Sequence, residues 1–77
     1  MTGTAKGRAL GSALRKARTD RGLSLRKLAA QIDRQPGVLS TWETATHVPK
    51  PDQVSQILTT LGVSGREYDE IIALAYD

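Results

Sequence analysis

Leu23–Ala45 reads LSLRKLAAQIDRQPGVLSTWETA, and its punctuation sets two short helices around a tight break. Ser24 stands where an N-cap belongs, its hydroxyl oxygen placed to accept a free amide of the next turn. A helix is predicted over about Leu25 to Ile32, with Leu28, Ala29 and Ile32 turned inward. Asp33 and Arg34 form the break. Gln35 and Pro36 open the next helix, and Pro36 falls at the first helical position, where a missing N–H costs nothing. That helix runs to Glu43 or Thr44, with Leu39 and Trp42 facing inward. Ala29 is small enough for the second helix to cross the first closely.

The same reading extends outward in both directions. Leu10, Ala13, Leu14 and Ala17 recur at helical spacing in a helix from about Arg8 to Asp20, ended by Gly22. After the pair, Thr44 to Pro51 is a loop closed by Pro49 and Pro51. Asp52 starts a fourth helix with Val54, Ile57, Leu58 and Leu61 on one face, stopped by Gly62. Ser64 is expected to cap a fifth from about Gly65 to Tyr76, with Tyr68, Ile71, Ile72 and Ala75 as its buried stripe, widened by Leu74. Residues 1–7 are small and polar and read as a flexible arm. The expectation is an all-α chain with a five-helix domain over residues 8–77.

Composition narrows the function. At 77 residues the chain fits one small domain with little room for a deep catalytic cavity. It has no cysteine, which excludes a disulfide framework, a thiol nucleophile and a cysteine zinc site. No stretch approaches the roughly 20 apolar residues that span a bilayer. Charge is divided unevenly. Residues 1–50 hold ten basic and three acidic residues, a net +7, whereas residues 51–77 hold one basic and five acidic, a net −4. Such asymmetry points to a polyanion met by one face.

Taken together, LRKARTDRGLS (14–24), LRKLAAQI (25–32), QPGVLSTWE (35–43), Pro49 and VSQILTTLG (54–62) resemble the phage-repressor-like class of bacterial regulators, the xenobiotic-response-element family of helix-turn-helix domains. The closing LGVSGREYDEIIALAYD (61–77) is similar to the actinobacterial branch, where such a domain often heads a longer regulator. The resemblance spans about residues 8–76. It implies a five-helix phage-repressor-like fold and a transcriptional regulator that binds double-stranded DNA, with the third helix in the major groove. This chain departs from the family at two positions. Leu25 stands where relatives often carry a phosphate-binding Gln, so only its backbone amide could serve. Asp33 stands where relatives usually have Gly, and Asp tolerates the left-handed conformation better than most residues.

The resemblance places base contacts at Pro36, Gly37, Ser40 and Thr41, with Gln35 beside them at the helix start. This face has no Arg, Lys or Asn, and Gln35 is its only amide. Direct bidentate pairing is therefore scarce, and close approach at Gly37 and a Thr41 methyl contact to thymine are the contacts expected. Expected phosphate contacts are Arg26 and Lys27 at the start of the second helix, Arg34 in the turn, and Thr44, Thr46, His47 and Lys50 around the loop. The resemblance also pairs Arg18 with Glu43 as a buried structural ion pair.

Each residue also has a plainer reading. Trp42 reads as core rather than a base stacker, and Ser24 as a cap rather than a nucleophile. The run Arg15–Arg21, Arg18 apart, reads as a solvated helix face. Lys6 and Arg8 either reach DNA or belong to a disordered arm. His47 has no second ligand type near it, so no metal site, cofactor or catalytic residue is expected, and the chain is not expected to be an enzyme. Expected partners are double-stranded DNA and a second copy of the chain, since one helix reads only a few base pairs. The fifth helix, with Leu74 and Tyr76, is the expected dimer contact. No membrane partner is expected, and the location expected is cytoplasmic, at the nucleoid. A protein partner or a C-terminal regulatory domain in a longer chain fits as well. The alternative is an antitoxin-like module whose main partner is another protein.

Overall fold

Capping chemistry sets the limits of each helix. A computed structural model of the chain describes residues 4–76. Among these residues there are five helices and no strand: α1 (Ala5–Asp20), α2 (Leu25–Gln31), α3 (Pro36–Glu43), α4 (Pro51–Leu61) and α5 (Gly65–Ala73). This is the expected all-α, five-helix, phage-repressor-like arrangement.

Three boundaries differ from expectation. Helix α1 begins at Ala5 rather than Arg8, because Thr4 caps it: the Thr4 Oγ1 accepts the Gly7 amide at 3.0 Å. Lys6 and the buried Gly7 are therefore helical, and Met1–Gly3 of the expected arm lie outside the described residues. Helix α4 begins at Pro51, one residue early. Helix α5 ends at Ala73, and residues 74–76 tighten into i→i−3 bonds, Leu74 N to Ile71 O at 3.0 Å and Ala75 N to Ile72 O at 2.9 Å. Ser64 precedes α5 but its hydroxyl makes no capping bond. Gly65 at the first helical position has φ +64, which takes the first amides away from the serine.

Three helices end by the same backbone motif, a left-handed residue followed by an amide that reaches back to the last turn. Gly22 (φ +69) ends α1 with Leu23 N to Arg18 O at 3.2 Å, and Gly62 (φ +78) ends α4 with Val63 N to Leu58 O at 2.9 Å. Asp33 (φ +57) ends α2 with Arg34 N to Ala29 O at 2.9 Å. This last is the turn between α2 and α3, and an aspartate fills the place where glycine is usual.

The core gathers at the meeting of α1, α2, α3 and α4. Leu10, Leu14, Leu28, Leu39, Val54 and Leu58 are essentially sealed from solvent. Burial of each leucine contributes about 1.5–3 kcal/mol relative to exposure. Helix α5 lies against α4 and α1, with Ile71 buried and the Tyr68 hydroxyl 2.7 Å from Ser55 Oγ. Arg21 ties these elements: its Nε donates to Leu61 O at 2.7 Å, Nη1 donates to Ala17 O at 3.1 Å, and Nη2 reaches Glu67 Oε1 at 3.4 Å. Arg15, Lys16 and Arg21 are exposed, as expected for a solvated face, and Arg21 in addition satisfies carbonyls that two helix ends leave open.

Helices α1 and α3 approach at Gly11. A Cβ added there would sit 2.5 Å from Glu43 O and 2.7 Å from Trp42 O. The last turn of α3 rests on the backbone of α1, and only glycine leaves the space. No described helix is long and apolar enough to cross a membrane.

Candidate nucleic-acid interface

Helix α3 has one side committed to the core. Leu39 and Trp42 are 1% and 6% exposed, so the helical turn places the residues between them outward. Gln35 and Gly37 are exposed, while Pro36, Val38, Ser40 and Thr41 are half-buried. A Cβ at Gly37 would meet nothing within 4 Å. Two hydroxyl protons on this side are spent within the helix. Thr41 Oγ1 donates to Val38 O at 2.6 Å, and Thr44 Oγ1 donates to Ser40 O at 2.8 Å, with Thr46 Oγ1 3.1 Å from it.

An open depression of about 610 Å³ lies between α3 and the start of α4. Its lining takes Arg34, Gln35, Gly37, Val38, Thr41 and Trp42 from the turn and α3, His47 from the loop and Gln53 from α4. No acidic side chain lines it. The Arg34 guanidinium stands 5.9 Å from the centre of the Trp42 ring, close enough for a cation–π contact. The His47 amide donates to Thr41 O at 3.1 Å, and Ala45, buried and left-handed (φ +62), turns the chain back to make that bond. Gln53 Oε1 accepts the Lys50 amide at 2.8 Å, which starts α4 and fixes Lys50 beside the depression.

The fold therefore brings Arg34, Gln35, Gly37, Thr41 and His47 to one surface feature, with Lys50 bonded to its edge. Pro36, Ser40, Thr44 and Thr46 lie on or next to the same helix outside the depression's lining. Arg26 and Lys27 are exposed on the first turn of α2, whose cap Ser24 Oγ accepts the Lys27 amide at 3.1 Å, and neither lines the depression. Sequence reasoning missed Gln53. Its position as the third residue of α4, where a Gln reaches back to the preceding amide, was the available signal. Among the described residues no group of His, Cys, Asp and Glu could hold a metal ion.

Behind this surface, Arg18 holds the end of α3. Its Nε donates to Glu43 Oε2 at 2.7 Å and Nη2 to Oε1 at 2.9 Å, a two-pronged pair, while Nη1 donates to Leu23 O at 2.8 Å. The side chains are only 10% and 8% exposed. The hydrogen bond to Glu43 raises the Arg18 pKa above its ordinary value, outweighing burial. Stability gained from a raised pKa is lost only as pH passes the folded value, so the arginine stays charged throughout any neutral range. Of the three acids in residues 1–50, Glu43 is thus neutralised, and Asp20 is paired with Lys16 at 2.8 Å.

Residues 9–71 match the protein-family model described as a helix-turn-helix domain. Multiprotein-bridging factor 1 of Saccharomyces cerevisiae is 35% identical over 57 residues, which cover 74% of this chain and 38% of that protein. The chain thus spans well under half the length of that curated relative. The crystal structure of the clp gene regulator ClgR from C. glutamicum is similar with a TM-score of 0.79 and 30% identity, over 96% of this chain and 95% of that one.

Proposed function

Because this chain belongs to the helix-turn-helix domain family, we propose that it is a transcriptional regulator that binds double-stranded DNA, with α3 lying in the major groove. The observation that carries this reading is the outward side of α3: an acid-free depression lined by Arg34 and His47, with Lys50 at its edge and an open Gly37. The regulator ClgR, similar over nearly the whole chain, supports a role in transcription. In this reading Gln35, Pro36, Gly37, Ser40 and Thr41 face base edges, and Arg26, Lys27, Arg34, Thr44, Thr46, His47 and Lys50 contact phosphates. Two copies bind a two-fold site, joined through the end of α5, where Leu74 is half-buried and Tyr76 is 58% exposed.

Selection from a random duplex pool tests the whole reading. Bound sequences should carry paired half-sites about one helical turn apart. Affinity should fall roughly a hundredfold or more between about 50 and 200 mM salt, as for a domain with several phosphate contacts. Lys50→Ala should weaken all duplexes about equally and flatten the salt slope by about one unit. A pool from which nothing is enriched, or a flat salt response, overturns it.

Gly37→Glu isolates the docking of α3. The new side chain enters open space, so the far-ultraviolet dichroism and melting should be preserved. Duplex affinity should drop tenfold or more, since a carboxylate is driven toward base edges and phosphates and loses about 1.4 kcal/mol for each factor of ten. Unchanged affinity would mean that another surface meets the DNA.

A further inference from the structure

We infer that Val48 is a positioning residue for duplex binding: one of its methyls rests on the first turn of α1 and thereby holds His47 and Lys50 where they meet phosphates. This deepens the duplex-binding reading above and rests on it. The loop from α3 to α4 is anchored from inside by Ala45 and Pro49, both buried. Two backbone bonds flank its outer part, the His47 amide to Thr41 O at 3.1 Å and the Lys50 amide to Gln53 Oε1 at 2.8 Å. Val48 stands between these bonds and is half exposed. Its inner branch is received by Gly7. A Cβ placed on that buried glycine would lie 3.1 Å from Val48 Cγ2 and 3.0 Å from Thr4 Oγ1. The methyl therefore takes up space that a side chain at Gly7 would crowd.

The turn that receives the methyl is itself fixed. Thr4 Oγ1 accepts the Gly7 amide at 3.0 Å, so the cap that starts α1 also shapes the seat. Val48 offers a phosphate no side-chain donor, and its effect must pass through its neighbours. Valine is branched at Cβ and holds few χ1 rotamers, so a methyl fixed on α1 restrains the backbone that bears it. That backbone leads directly to His47 on one side and, through the buried Pro49, to Lys50 on the other. A loop ordered beforehand loses less freedom when it meets a ligand, and it binds more tightly for that reason. Through this contact the start of α1 influences how tightly the loop holds a duplex.

The test measures duplex affinity by fluorescence anisotropy at about 50 mM salt, where phosphate contacts weigh most, beside a melting curve for each protein. Val48→Ala should weaken binding about two- to tenfold, the worth of ordering one side chain, and equally on preferred and scrambled duplexes. Its melting should change little, since the residue is half exposed. Val48→Ile, which keeps the seated branch, should bind as the unaltered chain does. In a chain carrying His47→Ala and Lys50→Ala, the same Val48→Ala should add almost nothing, because the side chains it positions are gone. Gly7→Ala approaches the contact from the other side: its methyl crowds the seat, so affinity should fall, and fall less when Val48→Ala is also present. Unchanged affinity in folded Val48→Ala overturns the inference while duplex binding stands. An undiminished loss from Val48→Ala in the chain without the His47 and Lys50 side chains shows a merely structural role and overturns it as well. If the unaltered chain binds no duplex at all, the reading under Proposed function fails and this inference falls with it.

Discussion

Arg18→Met is expected to lower the unfolding free energy by about 3–5 kcal/mol, the range for stranding one member of a buried ion pair. The reason is the isolation of what is left behind. Glu43 is 8% exposed and takes both of its hydrogen bonds within the pair from Arg18. The substitution also removes the donor to Leu23 O, on the loop that leads into α2. Glu43→Leu alone should be damaging for the converse reason, a buried guanidinium without its carboxylate. The double variant Arg18→Met, Glu43→Leu should recover much of the loss, because two apolar side chains can fill the space that two charges occupied. The shortfall should be about 1 kcal/mol for the lost bond to Leu23. Urea unfolding of the four proteins measures the coupling directly. Two small, additive effects below about 1 kcal/mol each would show that water reaches the pair in solution.

Gly11→Ala should destabilise the fold by about 2 kcal/mol or more, at the upper part of the range for overpacking. Alanine ordinarily helps a helix interior by about 0.5–1 kcal/mol over glycine, so the sign itself is diagnostic. The neighbours at 2.5 and 2.7 Å are carbonyl oxygens of Glu43 and Trp42. A carbonyl in a helix cannot rotate aside as a side chain would, so α1 and the end of α3 must move apart. Such a shift also strains the Arg18–Glu43 pair, about two turns further along α1. Gly37→Ala is the matched control: its methyl enters open space, and stability should hold or rise by up to about 1 kcal/mol. Equal unfolding midpoints for Gly11→Ala and the unaltered chain would mean that the two helices are looser than the 2.5 Å approach requires.

The contrast between these two glycines explains what was legible in the sequence. Local signals carried their meaning on their face. Ser24 before Leu25, Pro36 at a helix start, Gly22 and Gly62 at helix ends, and the spacing of Leu10, Leu14 and Ala17 all depend on neighbours within one turn. Asp33 was readable too, as a residue able to take the left-handed turn that closes α2. Gly11 was not. A glycine inside a helical pattern looks the same whether it faces water or a carbonyl of a helix more than 30 positions away. The tether made by the exposed Arg21 was not readable for the same reason, since its acceptor Leu61 O is 40 residues distant. Ala45 gave no warning either: its left-handed turn is imposed by burial and by the return of the loop onto α3. At the candidate interface, proton bookkeeping was not legible. That Thr41 and Thr44 spend their hydroxyl protons on their own helix emerges only from the geometry.

The division of labour on α3 bears on how such a chain diversifies. Leu39, Trp42 and Glu43 anchor the helix from behind, whereas Gln35 is exposed and the space around Gly37 is empty. Substitutions at these outer positions change what is presented to a partner without disturbing what holds the helix in place. After gene duplication, one copy can drift through many such variants, each still folded, until a new target is met. Mutations on the inner side have no such latitude: at Gly11 a single added methyl meets the backbone of the helix it supports.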